Sequence, residues 1–353
     1  MSEGCQNIYM IFSLPDSLNS KNKARFTVTQ ASLASACGRL FAGLAIFSLA
    51  FSAAAQDYPN RPIKLVIPSE VRSAGDQFAR LLALTLTERL KQKVSFENID
   101  GQDGTIAANM VAKAPADGYT LLFGNELTQV TNPLRGKSSP YNPAQDFTPI
   151  AFFSEDRYVL IAHPEVPASN VAELIEYAKK SSTRLVFGNY GTSTTSNMAG
   201  AAFQAMTGTS MASQNFDMLF PALNALGENQ IQLMFVPARA AKQQLEGKRM
   251  KALGVAGPRI AGLPNVPPFG DAVPGFEITG WFAVFAPAKL PPEIQKFLNT
   301  EINAAILDTR LKTIFERMAG TTAKPGTPEE LAAMIVQDTA RREKLIKAAG
   351  MQQ

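Results

Sequence analysis

Few residues in this chain have the types and spacing that bond-making chemistry needs. The only histidine, His163, precedes Pro164 in a loop. A Ser-His-Asp triad could be assembled only around it, and no G-x-S-x-G elbow presents a nucleophile. There is no H-E-x-x-H pair, no clustered His/Asp metal set and no P-loop. Both cysteines, Cys5 and Cys37, lie near the start of the chain. A hydrolase or lyase built on His163 is the one enzymatic reading left, and an ordinary loop histidine is the simpler one. The expectation is a protein that is not an enzyme and uses no cofactor and no metal.

Two polar loops offer chemistry of another kind. The first follows the apolar strand Ile63–Ile67, which Pro68 stops, and contains Ser69, Ser73, Ala74 and Gly75. Asp76 stands where a helix N-cap belongs, and Phe78, Leu81, Leu82, Thr85 and Leu86 recur at helical spacing behind it. The second follows the strand Leu185–Gly188 and contains Asn189, Gly191, Thr192, Ser193, Thr194 and Thr195. The helix after it places Ala199, Ala202, Phe203 and Met206 on one face. Free backbone N–H groups at a helix start, at the positive end of its dipole, make a ready anion site. Two such sites in different lobes facing one cleft would hold a carboxylated ligand from both sides. Asn125, after the strand Tyr119–Gly124, joins this candidate set. For either loop alone, an ordinary strand-to-helix turn is the competing reading.

The elements that must position these loops are short apolar strands alternating with amphipathic helices, a pattern of α/β architecture. Further strands are expected at Val94–Glu97 and Ile231–Phe235. Helices are expected after the Gly101/Gly104 turn and over Pro221–Leu226, Pro291–Ile306 and Thr327–Leu345. Thr327-Pro328-Glu329-Glu330 is a capping box. The chain has 353 residues, enough for about two domains, and 46% hydrophobic against 18% charged residues argues against disorder. Residues 40–55 form an uncharged run behind Arg39, ending in Ala53-Ala54-Ala55. That run is shorter than the ~20 residues a membrane span needs and reads as a signal peptide cleaved near Ala55. An uncleaved anchor, or a lipid on Cys37, are the alternatives. Without residues 1–55 the chain loses Lys21, Lys23, Arg25 and Arg39 against Glu3 and Asp16, so the formal +4 falls to an excess of two. So small an excess implies neither nucleic acid nor an anionic membrane surface as partner.

Several stretches together resemble a known family. Tyr58-Pro59-Asn60-Arg61-Pro62-Ile63, the run Ala112–Leu122 ending Asp117-Gly118-Tyr119-Thr120-Leu121-Leu122, Tyr141–Phe147, and Leu263-Pro264-Asn265-Val266-Pro267 stand in order. Pro274-Gly275-Phe276-Glu277 with Trp281, and Thr327–Glu330, follow. Over residues 57–350 the chain is similar to the substrate-binding proteins of tripartite tricarboxylate transporters, the Bug or TctC-like family. The resemblance implies an α/β, two-lobed periplasmic binding protein fold of type II-like form, each lobe a sheet flanked by helices. Residues 56–155 with 279–353 would form lobe 1 and 156–278 lobe 2, with crossings near Phe152–Tyr158 and Ile278–Trp281. It further implies a monomer in the periplasm that captures a small organic anion and delivers it to a membrane permease of that transporter type. A ligand-binding co-receptor for a membrane sensor kinase would have the same fold and site.

The chain departs from the family's pattern at its loops. Where the family carries two prolines and a Gly-Gly-Gly-Thr-Asp run, this chain reads Glu70-Val71-Arg72-Ser73-Ala74-Gly75-Asp76. Glycine lets backbone approach a ligand closely, so the local grip differs. Arg72 is new there. It either forms a bidentate pair with a ligand carboxylate, or pairs with Glu70, or faces solvent. Asn197 stands where the family usually has a histidine, and Phe216-Asp217-Met218 replaces a Tyr-Lys-Gly segment. If Asp217 faces the cleft, the ligand carries an amino group or fewer negative charges; the alternative is a solvent-facing Asp217.

Overall fold

The computed structural model describes residues 58–135, 139–180, 185–191 and 194–350. The expected signal peptide, both cysteines, Thr192 and Ser193 lie outside the described residues.

The strands form one continuous network with two halves. In the first, β1 (Ile63–Ile67) pairs in parallel with β2 (Val94–Asn98) and β3 (Thr120–Asn125). β3 pairs antiparallel with β9 (Thr279–Pro287), and β9 with the opening stretch of β4 (Phe147–Ala162). The short β10 (Thr321–Ala323) also lies on β4. In the second half, the last residues of β4, Tyr158–Ala162, pair with β7 (Leu233–Pro237), and β8 (Lys251–Val255) also pairs with this end of β4. β5 (Val186–Asn189) joins β7 and β6 (Ala212–Asn215) in parallel. The 16-residue β4 is therefore shared by both halves.

Period-two alternation sorts each strand's side chains between two cores. In the first half, Ile63, Leu65 and Ile67 pack with Phe78 and Leu82 of α1 (Ala74–Leu90) and with Leu298 and Ile302 of α7 (Pro292–Ile306). Val66 faces the other side, with Leu122, Trp281 and the residues of α2 (Thr105–Ala112). In the second half, Leu160 and Phe235 pack with Leu174 of α3 (Val171–Lys180) and Phe203 of α4 (Thr195–Thr207). Val159, Ile161 and Met234 pack on the opposite face with α5 (Leu219–Gly227) and α6 (Ala238–Glu246). The helix α8 (Thr309–Arg317), with Leu311 and Phe315 in the core of the first half, precedes β10. The C-terminal helix α9 (Pro328–Ala348) starts against the first half, with Leu331 in its core. It ends with Leu345 and Ile346 in the core of the second. Its start shows both reciprocal bonds of the Thr327/Glu330 capping box.

Two expectations are corrected. The N-cap of α1 is Ser73, not Asp76. The Ser73 hydroxyl accepts the Asp76 N–H at 3.1 Å, while the Asp76 carboxylate reaches back to the Arg72 N–H at 2.8 Å. Serine satisfies one helix-start donor, and the acid three residues on binds the N–H of the residue before the cap. In α4, Ala199, Ala202 and Phe203 are buried but Met206 is exposed. Thr207 takes the inward position in the last turn, its hydroxyl donating to the Phe203 carbonyl.

Candidate functional site

A parallel sheet presents its ligand sites beyond the carboxyl ends of its strands, where the following helices begin. Both halves turn that edge toward one cavity of about 570 Å³, within the ~300–1,000 Å³ of small-molecule sites. β1 leads to Ser69, β3 to Asn125 and Glu126, β5 to Tyr190, and β7 to Pro237 and Arg239, all on its wall. Four helices start there. Those of α1 and α4 are capped by Ser73 and Thr194, whereas α5 and α6 begin at Met218 and Pro237 with no side-chain cap. Their first N–H groups are therefore left to solvent or ligand.

Of the residues singled out from the sequence, Ser69, Arg72, Ser73, Ala74, Gly75, Asn125, Thr194, Thr195 and Asp217 line the cavity, drawn from both halves. Gly75 lies close beneath it: a Cβ there would sit 3.2 Å from both the Phe282 ring and the Ser69 hydroxyl. Arg72 adopts φ 72°, the left-handed region that favours glycine, within the loop where the family carries its glycines. No ion pair joins it to Glu70 among the described residues.

Asp76, Asn189 and Gly191 are not on the wall. Asp76 is buried behind it; burial works to raise its pKa, but the Arg72 N–H and the Arg80 side chain, 2.6 Å away, hold it below the ordinary carboxylate range. Asn189 is buried and bonds Ser213 and the Gly191 N–H, so it shapes the loop. Asn125 also works locally, exchanging bonds with Thr128. His163 follows the end of β4 and is not on the cavity wall; its ring accepts the Glu165 N–H.

Sequence reasoning missed the polar floor. Glu126 is buried and accepts the Thr195 hydroxyl at 2.9 Å and the Trp281 backbone N–H at 3.0 Å. Burial pushes its pKa up, against the opposing pull of Arg342 and these bonds. Behind it, Arg342 is fully buried, paired with Asp338 at 2.8 Å, and Asp338 also accepts the Trp281 indole N–H at 2.8 Å. Thr195 from the second half and Glu126 from the first thus share one network with the C-terminal helix. Tyr158 and Tyr190 place their hydroxyls 3.4 Å apart on the wall. Burial pushes Tyr190 up to about 12 and Tyr158 well above its ordinary value, so both remain protonated donors. Arg239 pairs with the buried Asp156 at 2.7 Å. Only the neighbourhood of a strand end in sequence hints at any of these residues, and that signal is common to every strand.

A cavity walled by helix starts and hydroxyls, with its histidine elsewhere, defines a solute-binding protein with an α/β fold. The pattern of the tripartite tricarboxylate transporter family receptor, TctC, matches residues 78–351, and the chain belongs to that family. It is a family of binding proteins, not enzymes. Among solved structures, the chain is similar to Rpa4515 of R. palustris with adipate. Identity is 32% and the TM-score 0.74, over 83% of this chain and 99% of that one. It is also similar to the periplasmic binding protein BugD (28%, TM-score 0.72, 84% and 99% covered). MatC from Rhodopseudomonas palustris with bound malate is a third (27%, TM-score 0.71, 82% and 100% covered).

Proposed function

We propose that this protein captures a small carboxylate in the periplasm and delivers it to a membrane permease of the tripartite tricarboxylate type. In this reading it works as a monomer, exported by a signal peptide cleaved near Ala55. The observation that carries the reading is the convergence of four helix starts, two from capped and two from uncapped helices, on one cavity between the halves. Adipate and malate in the similar structures support a carboxylate ligand. Ser69, Arg72, Ser73, Ala74, Gly75, Thr194, Thr195 and Asp217 would contact it, with Thr192 and Ser193 in the same loop as Thr194.

The energetics set what else is needed. A helix start contributes about 0.3–1 kcal/mol when exposed and up to about 2 when partly buried, while micromolar affinity corresponds to about 8 kcal/mol. Hydroxyl and arginine hydrogen bonds, and closure of residues 156–278 over residues 56–155 and 279–353, supply the remainder. The test is ligand-dependent thermal stabilisation across a panel of small carboxylates, since a ligand that binds only the folded state raises stability. At least one acid should raise the melting temperature, and Arg72→Ala should reduce the shift. A panel with no shift would refute the reading; a shift untouched by Arg72→Ala would remove Arg72 from the contact set.

A further inference from the structure

The cavity's charges are balanced in a way that bears on which acid it takes. Its arginines are Arg72, Arg239 and Arg317; its acids are Glu70, Glu126, Asp156 and Asp217. Three cations thus face three acids even when the buried Glu126 is neutral. Arg72, Arg317, Glu70 and Asp217 are exposed, at the mouth. Deeper, the one cation is Arg239. Its Nη1 donates to Asp156 at 2.7 Å, and Asp156 is itself fixed by the Thr321 hydroxyl at 2.6 Å. The guanidinium also lies 5.9 Å from the centre of the Phe78 ring. Among the described residues no other acceptor holds it, and the side chain is 22% exposed on the cavity wall. Its remaining donors are therefore preorganised and open to a ligand.

Beside the hydroxyls, part of the wall is apolar. Phe78, Phe282, Leu219 and Leu223 line it. At its mouth stand Val71, Met218 and Phe220, 50–67% exposed, from both halves. Three of the ten large hydrophobic side chains exposed among the described residues thus surround one opening, which marks an apolar contact surface.

We propose that the cavity selects monocarboxylates with an apolar body over di- and tricarboxylates, and that Arg239 is the residue that takes the carboxylate. This deepens the function proposed above and rests on it. A first carboxylate finds the open donors of Arg239. A second carboxylate in that deeper space finds no further cation and the acids Glu126 and Asp156, and at the mouth it meets only the exposed Arg72 and Arg317, offset by Glu70 and Asp217, so it loses its water with little compensation. The apolar body covers Phe78 and Phe282, and Val71, Met218 and Phe220 shield it from water when the halves close.

Calorimetry on the full chain tests this with two series of matched frame, benzene mono-, 1,3-di- and 1,3,5-tricarboxylate, and hexanoate, adipate and butane-1,2,4-tricarboxylate. Affinity is expected to fall about tenfold or more with each added carboxylate. Equal or tighter binding of the di- or tricarboxylates overturns the selectivity while leaving carboxylate capture standing. Binding of none of the six overturns both readings. The double variant Asp156→Asn/Arg239→Gln removes the cation without stranding a buried acid. It should weaken monocarboxylate binding about tenfold to hundredfold, with an unliganded melting temperature close to the parent's. Unchanged affinity in that variant overturns the role of Arg239. If it does not fold, the Arg239→Lys variant replaces the planar fork by a point charge and is expected to weaken the same ligands; unchanged affinity there is equally adverse.

Discussion

The buried Glu126 makes a prediction whose sign distinguishes this structure from the usual behaviour of a carboxylate. Its folded-state pKa lies above the ordinary value because burial penalises the charged form. Below the unfolded-state pKa, near 4.3, Glu126 is protonated in both states and costs nothing. As pH rises above that, the unfolded chain ionises first. Stability is then lost by up to about 1.4 kcal/mol per pH unit, until pH passes the folded-state pKa. Glu126→Gln removes the titration while keeping an acceptor for the Trp281 N–H and an amide for the Thr195 hydroxyl. The variant should therefore gain on the parent steadily as pH rises from about 4. Glu126→Ala should instead lose about 1–3 kcal/mol for each of the two donors left without a partner. Urea unfolding of the three proteins between pH 4 and 8 reads both effects. A Gln-minus-parent difference that is flat would mean folding leaves this pKa unchanged, and one that falls with pH would mean folding stabilises the carboxylate; either would refute the reasoning. Asp76 and Asp338 have lowered pKa values, so their contribution is present above the unfolded value and lost on acidification. They cancel in the difference.

Two further outcomes follow from packing and capping. Gly200 lies inside α4, where alanine is intrinsically favoured by about 1 kcal/mol. A Cβ there would stand 2.3 Å from the ring of the buried Phe187, so Gly200→Ala should destabilise by about 1–3 kcal/mol; a stabilised variant would contradict that close approach. Thr327→Ala breaks the capping box of α9 and should cost about 1 kcal/mol in urea unfolding, and an unchanged midpoint would show that the cap contributes nothing.

The motifs that made the family recognisable are mostly scaffolding. Tyr58 donates to the Gly118 carbonyl at 2.7 Å and Arg61 pairs with Asp117 at 2.7 Å, so two of the matching stretches hold each other. Asn142 caps the turn of helix Pro143–Asp146. Only Trp281 among them reaches the cavity. The residues that line it include those where the chain departs from the family, Glu70 to Gly75 and Asp217 to Met218.

By itself the sequence determined the local elements and the family. Strand Ile63–Ile67 and the helices after both polar loops were legible because their periodicity and caps act within a few residues. The arithmetic of a single histidine already left little room for catalysis. The order of the strands, the sharing of β4 between two halves and the meeting of four helix starts were decided only by tertiary structure. So was the floor made by Glu126, Thr195 and Arg342, residues 69 to 216 positions apart in the chain. Their roles depend on burial, on which buried partner each one meets and on the charge it faces, and those are properties of the folded neighbourhood that no stretch of sequence carries alone.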